Sequence, residues 1–239
     1  MSPRPERVPT PSKPRNWRGS AKRPTPYNPL DLDNLGRSVE AALVSHAPEP
    51  LDSVELMTGA GIYAIYYKGG HPLYEPISAS SNPIYVGQAR SAGARKGSAA
   101  VDEFATPLWD RIAEHHESIT QARDLNVADF EVRYLVAVEV FVSLAEQLMI
   151  KRERPVWNSV VDGFGNHDPG ANRRKDSFRP PWDELHPGRW WAEPDKMPTA
   201  SKISAAESAR RIEAHFARDL AQLALEDEQL DLGSDLINE

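Results

Sequence analysis

Two short stretches decide how this chain folds: GIYAIYY at residues 61–67 and PIYV at residues 83–86. Both are dense in β-branched and aromatic side chains, which suit a pleated, half-buried surface. Between them, GGHPLYEPISASSN at 69–82 carries the Gly, Pro, Ser and Asn punctuation of a loop. The pair therefore predicts two strands joined by a long hairpin loop. Thr106 followed by Pro107 then supplies an N-cap and a first-turn proline for TPLWDRIAEHHESI, a helix with Leu108, Ile112 and Ile119 on one face. Residues 130–141 alternate Phe130, Val132, Tyr134, Val136 and Val138 against Glu131, Arg133, Leu135, Ala137 and Glu139, which predicts a third strand with one apolar face. Residues 143–154 predict a second helix, ended by Pro155. The order strand, strand, helix, strand, helix describes a small mixed α and β module over about 55–160.

Outward from this module the character changes. The first 30 residues are rich in Pro, Arg and Lys with few large aliphatics, and cannot bury enough surface to offset the entropy of ordering. They are expected to form a disordered basic arm. LDNLGRSVEAALVSH at 32–46 predicts a helix with Leu35, Val39 and Leu43 on one side. After the module, residues 157–194 are dense in Gly, Pro, Asn, Asp and Trp, and Trp182, Trp190 and Trp191 predict ordered irregular structure because such rings are costly to leave in water. In the last segment, 201–239, Ser204 and Glu207 form a possible capping box before Ile212, Phe216, Leu220 and Leu223 at helical spacing. An acidic end follows. The organisation expected is an arm at 1–30, one domain over 31–200, and a helix with an acidic tail over 201–239.

The 239 residues, 40% of them apolar, are enough for a real core. The chain has no cysteine, which excludes disulfides, thiolate metal sites and thiol nucleophiles and fits a reducing cytoplasm. No apolar leader-like stretch and no run long enough to span a bilayer is present, so neither secretion nor a membrane partner is expected. A net charge of −7 lends no support to nucleic-acid binding, yet residues 192–239, with 11 acidic and 5 basic residues, hold −6 of it. The central module is close to neutral.

Arg111 and His115 are one helical turn apart, and His115 falls inside the apolar stripe. A buried imidazole needs partners; a backbone carbonyl would serve as well as a functional one. Glu146 stands three residues after Ser143, which also fits a plain capping box. The tripeptides GIY (61–63) and YVG (85–87), followed in order by Arg111, Glu146 and Asn158, resemble the signature series of the GIY-YIG nuclease family. PIYVGQA, the Arg111 and His115 pair, PVWNSVVDGFGNHDPGANR and WDELHPGRWWAE are further similar to type II restriction endonucleases of that family that cleave CCGCGG. One departure is Gln88, where related enzymes often carry lysine.

The resemblance, over about 55–195, implies an α+β fold: a small antiparallel three-stranded sheet flanked by helices, with irregular and helical extensions. It implies hydrolysis of double-stranded DNA by a homodimer, since a palindrome offers the same scissile step on each strand. A cognate DNA methyltransferase would be the genetic partner. Glu146 would be the protein ligand of Mg²⁺, Arg111 a phosphate donor, Tyr63 the base or orienter of the attacking water, and His115 the acceptor of the Tyr63 proton. Tyr85 would bond phosphate or water, and Asn158 backbone or phosphate. Guanine-rich sites favour Arg and Lys contacts, so Arg90, Arg95 and Lys96, and Arg173, Arg174, Lys175 and Arg179, are the expected DNA-binding residues. A repair or mobile-element nuclease, and a non-cutting DNA-binding protein on the same fold, are the alternatives.

Overall fold

The strand read from GIYAIYY is buried along its whole length, Gly61–Tyr67, in the computed structural model, which describes residues 32–78, 80–91 and 104–219. In chain order the elements are α1 (Leu32–Ser45), β1 (Glu49–Pro50), β2 (Gly61–Tyr67), α2 (Glu75–Ser78), β3 (Tyr85–Ala89), α3 (Pro107–Gln121), β4 (Phe130–Val136) and α4 (Glu139–Glu153). Short helices α5 (Val156–Ser159), α6 (Ala171–Asp176) and α7 (Pro181–Leu185) follow, and α8 covers 205–219. No helix among the described residues is long and apolar enough to cross a membrane.

The sheet is antiparallel with order β1-β4-β2-β3. It has four strands where three were expected. The extra one, β1, pairs only Glu49 with Val132 and Pro50 with Glu131, too short a segment to carry a periodic signal. Central β2 is covered on both faces, which accounts for its unbroken apolar run. Tyr63, Ile65 and Tyr67 pack with Leu108, Ile112 and Ile119 of α3 and with Trp157, Phe164 and Trp182. On the opposite face Ile62, Ala64 and Tyr66 pack with Leu43 of α1 and with Ala145 and Met149 of α4.

Two boundaries differ from expectation. The third predicted strand stops at Val136, not Phe141, and α4 begins at Glu139, four residues before Ser143. The apolar alternation runs on through Val136 and Val138, but both are exposed there, so it has no buried face to support a strand. Ser143 is consequently inside α4 and caps nothing; its hydroxyl donates to Gln88 Oε1 at 2.8 Å. In α8 the Ser204 hydroxyl does accept the Glu207 amide, and Ile212 and Phe216 are buried. Leu220, Leu223, the acidic end and the N-terminal arm lie outside the described residues. Trp182 and Trp191 are buried as expected, whereas Trp190 is 51% exposed, with the Arg174 guanidinium 5.0 Å over its ring.

Candidate active site

The two glycines of the paired tripeptides have a steric origin. Tyr63 faces Gly87 across β2 and β3, and a Cβ at Gly87 would overlap the Tyr63 phenol oxygen and Cζ. At the start of β2, a Cβ on Gly61 would overlap the Leu135 carbonyl and crowd Leu108 of α3. Bare backbone at these points lets the Tyr63 ring lie over β3 and lets α3 seat against the sheet.

That seating brings His115 to Tyr63. His115 is 1% exposed, and its Nε2 lies 2.6 Å from Tyr63 Oη. Tyr85 meets the imidazole edge-on at 4.9 Å between centroids, and Phe164 stacks on it at 4.4 Å. Burial, aided by the nearby Arg111 and Arg189 charges, holds the imidazole well below its usual pKa. Burial, followed by Tyr85, pushes the Tyr63 phenol well above its usual value, against the pull of Arg111. The proton therefore rests on Tyr63, which donates to a neutral His115 whose other nitrogen carries the ring proton. The histidine's partner is thus a phenol on the neighbouring strand. The Tyr85 phenol is raised too, by burial first.

Arg111, one turn before His115, is fully engaged. Its Nη1 donates to Glu114 Oε2 at 2.7 Å and meets His167 Nε2 at 2.6 Å, and its Nη2 donates to the Gly165 carbonyl at 2.5 Å. The loop that supplies Gly165 is held by Arg189, a guanidinium 1% exposed that pairs with Asp183 and donates to the carbonyls of Gly163, Phe164 and Asn166. It lies between the Trp182 and Trp191 rings, 4.7 and 4.6 Å from their centroids. An open groove of about 650 Å³ runs alongside, lined in part by Trp109, Glu114, Asn166, His167 and Trp190.

Glu146 projects from α4 toward β3 and is half-buried. Its Oε2 accepts from Gln88 Nε2 at 2.6 Å, while Gln88 Oε1 accepts from Ser143 and from Arg90 Nε. Burial raises the Glu146 carboxyl above its usual range, with Gln88, Arg90 and Arg111 pulling it back. The remaining oxygen, Oε1, accepts no hydrogen bond among the described residues. A hard carboxylate oxygen with one free position suits a divalent cation whose other ligands are water and phosphate. Asn158 does not face this carboxylate. Its side chain clasps the Val86 backbone, accepting from the amide and donating to the carbonyl, each at 2.8 Å. Those groups turn outward from edge strand β3 and would otherwise lack partners.

The expected DNA-contacting residues divide. Arg90, Arg173 and Lys175 are exposed, and Arg95 and Lys96 lie outside the described residues. Arg174 is paired with Asp168 and mostly covered, and Arg179 spends its guanidinium on Glu184 and the Met197 carbonyl. These two bind the irregular segment to itself. His167, in the irregular segment, reaches Arg111 and Glu114. The sequence does not single out Phe164 and Arg189, nor does it show the role of Gln88, because each acts on a group far along the chain. Among the described residues one group of side chains has metal-ligand geometry, His71, Asp124 and His186. It sits near Tyr67, four residues along β2 from Tyr63, about 13 Å at strand spacing.

Residues 55–216 match the family model described as Eco29kI GIY-YIG domain, which spans more than half of the chain. A comparison with curated proteins finds no match.

Proposed function

Because the chain belongs to the Eco29kI GIY-YIG domain family, a restriction endonuclease family, we propose that it is a Mg²⁺-dependent type II endonuclease cutting double-stranded DNA at a palindromic GC-rich site. The observation that carries this reading is the 2.6 Å Tyr63 to His115 contact beside Arg111, with Glu146 close enough to perturb both tyrosines.

Phosphodiester hydrolysis needs an activated water, relief of charge on the phosphate, and help for the leaving 3′-oxygen. Tyr63 would orient the water and take its proton while passing its own to His115 Nε2. Burial makes a tyrosinate costly, and this coupled transfer avoids forming one. The imidazolium that results lies near a phosphate gaining negative charge, which offsets its own burial. Arg111 can turn the Nη1 edge now resting on Glu114 and His167 to the phosphate, keeping its bond to the Gly165 carbonyl. Tyr85 would donate to a phosphate oxygen. Gln88 orients Glu146, and Asn158 holds the strand that carries Tyr85. A Mg²⁺ on Glu146, completed by water and phosphate oxygens, would stabilise charge on the phosphate and the leaving oxygen.

Arg90, Arg95, Lys96, Arg173, Arg174, Lys175 and Arg179 are proposed to contact DNA, as basic side chains suited to guanine edges and phosphates. The specific site proposed is CCGCGG, from the resemblance of the 155–193 segment. Action as a homodimer follows from the two-fold symmetry of such a site. A cognate methyltransferase and a cytoplasmic location belong to the same reading, as does one catalytic domain over 31–200 with a basic arm and a C-terminal helical extension. Incubation of two plasmids with Mg²⁺, only one containing CCGCGG, tests it: discrete fragments from that plasmid alone are expected. Smearing of both would remove the specificity, and two intact plasmids would remove the nuclease.

A further inference from the structure

We propose that His71, Asp124 and His186 form a Zn²⁺ site, separate from the Glu146 centre, that clamps three segments of the chain together. The segments are the loop after β2, the turn after α3 and the end of α7. His186 Nδ1 lies 2.9 Å and His71 Nε2 3.6 Å from Asp124 Oδ2, and all three donor atoms fall within 4.8 Å of one another. Tetrahedral Zn²⁺ with bonds of about 2.0–2.1 Å spaces its ligand atoms by roughly 3.3 Å, so modest adjustments admit the ion. Two imidazoles and one carboxylate favour zinc and its neighbours over magnesium or calcium, which prefer all-oxygen shells.

Both rings are already aimed by bonds on their other sides. His186 is fully buried and its Nε2 is 2.5 Å from the Tyr74 hydroxyl, which also accepts from Trp157 Nε1 at 2.9 Å. His71 Nδ1 meets the Leu73 amide at 3.2 Å, and the His71 amide donates to the Tyr67 hydroxyl at 2.6 Å. Of these, the Tyr74 oxygen could accept from His186 Nε2–H once metal is bound and so hold that ligand's orientation, whereas the Leu73 amide, itself a donor, would give up its bond to a metal-bound His71. Asp124 and His71 stay open to solvent, with side chains 37% and 19% exposed, leaving an entry path and a position for a water ligand.

In the metal-free arrangement Trp157 donates to the Tyr74 hydroxyl, Tyr74 to His186 Nε2 and His186 Nδ1 to Asp124, with His71 Nε2 3.6 Å from the same carboxylate oxygen. Zn²⁺ would bind Nδ1 of His186 and Nε2 of His71, each ring keeping its one proton on the far nitrogen. His186 Nε2–H would then donate to the Tyr74 oxygen, whose own proton turns away from the ring, and His71 would carry its proton on Nδ1 at the expense of the long bond to Leu73. The clamp fastens His186, three residues before Arg189, to the loop after β2. It thereby steadies the segment whose Gly165 carbonyl holds Arg111.

The test uses the full chain with Co²⁺ as a spectroscopic probe and Zn²⁺ as competitor, in the Glu146→Ala background so that the other proposed metal centre is silent. One equivalent of Co²⁺ with visible ligand-field bands, displaced by Zn²⁺, is expected, and Zn²⁺ should raise the melting temperature. Because His186 is buried and its replacement can unfold the chain, ligands are removed at the exposed positions. His71→Ala and Asp124→Asn should keep their metal-free melting near that of the parent and weaken Co²⁺ binding by roughly tenfold or more. Absence of saturable binding in the parent, or undiminished binding in both variants, overturns the proposal.

Discussion

Gly87→Ala puts one methyl group against the centre of the proposed site. The added carbon would overlap Oη and Cζ of Tyr63, both rigid ring atoms, and crowd Tyr85 Cε1. Tyr63 has nowhere to go, being fully buried and bonded to His115 at 2.6 Å. Overpacking of this kind costs about 1–3 kcal/mol. If the phenol is driven off His115, the unpaired Nε2 adds about 1–3 kcal/mol more. The chain should still fold, with stability lower by about 2–6 kcal/mol and a melting temperature lower by roughly 4–24 °C. Cleavage should fall by about 10² to 10⁴, the range for a displaced proton-transfer group. Tyr63→Phe alone should lose about 1–3 kcal/mol and a similar share of rate, since it leaves the same nitrogen unpaired. The double variant drops the colliding oxygen and counts that nitrogen once, so it should be less destabilised than the sum of the singles by at least about 1 kcal/mol. Urea unfolding followed through the buried Trp157 and Trp182, with single-turnover plasmid cleavage, measures both quantities. Wild-type cleavage by Gly87→Ala, or effects that add within about 0.5 kcal/mol, would refute the steric account of the motif.

Three further outcomes follow from the same geometry. Asn158→Ala strips both partners from the Val86 backbone and should cost about 2 kcal/mol, read as a melting temperature lower by roughly 4–8 °C; an unchanged melt would contradict the clasp. Arg189→Met leaves the buried Asp183 charge and three carbonyls unmatched and should cost about 3–5 kcal/mol in urea unfolding, so a loss below about 1 kcal/mol would show that the guanidinium does not hold the Gly165 loop. For pH, Glu146 must be ionised to bind metal and its carboxyl is raised above 4.5, so kcat/KM should fall with acid from a point above that value. His115 is held well below 6.5 by burial, so the profile should show no limb near 6.5.

Much of this site is legible in the sequence through resemblance, because GIY, YVG, Arg111, Glu146 and Asn158 follow the order of a known family although each has a plain structural explanation alone. GIYAIYY reads as a strand, while its burial on both faces and the close approaches at Gly61 and Gly87 are seen only in the structure. The placing of His115 within an apolar stripe pointed to a partner, and Tyr63 is that partner. The limits have physical causes as well. Alternation through 130–141 reports only that apolar residues alternate; it cannot tell that Val136 and Val138 lie past the covered part of the sheet. Ser143 and Glu146 at capping-box spacing could not reveal that Glu139 already begins the helix. Gln88 looked like a lost cation, yet it orients Glu146 from 58 residues away. Arg174 and Arg179, basic residues in a Gly- and Pro-rich stretch, read as DNA contacts, and the sequence could not show that they pair with Asp168 and Glu184 inside the segment.

The central claim is that Glu146, Tyr63, Arg111 and His115 make one phosphodiester-cleaving site. Its most direct measurement is cleavage of supercoiled plasmid bearing CCGCGG by the purified chain with Mg²⁺, set against Glu146→Ala under identical conditions. Complete, chelator-sensitive cutting by the wild type and none by a folded Glu146→Ala is expected. Equal cutting by both would contradict it.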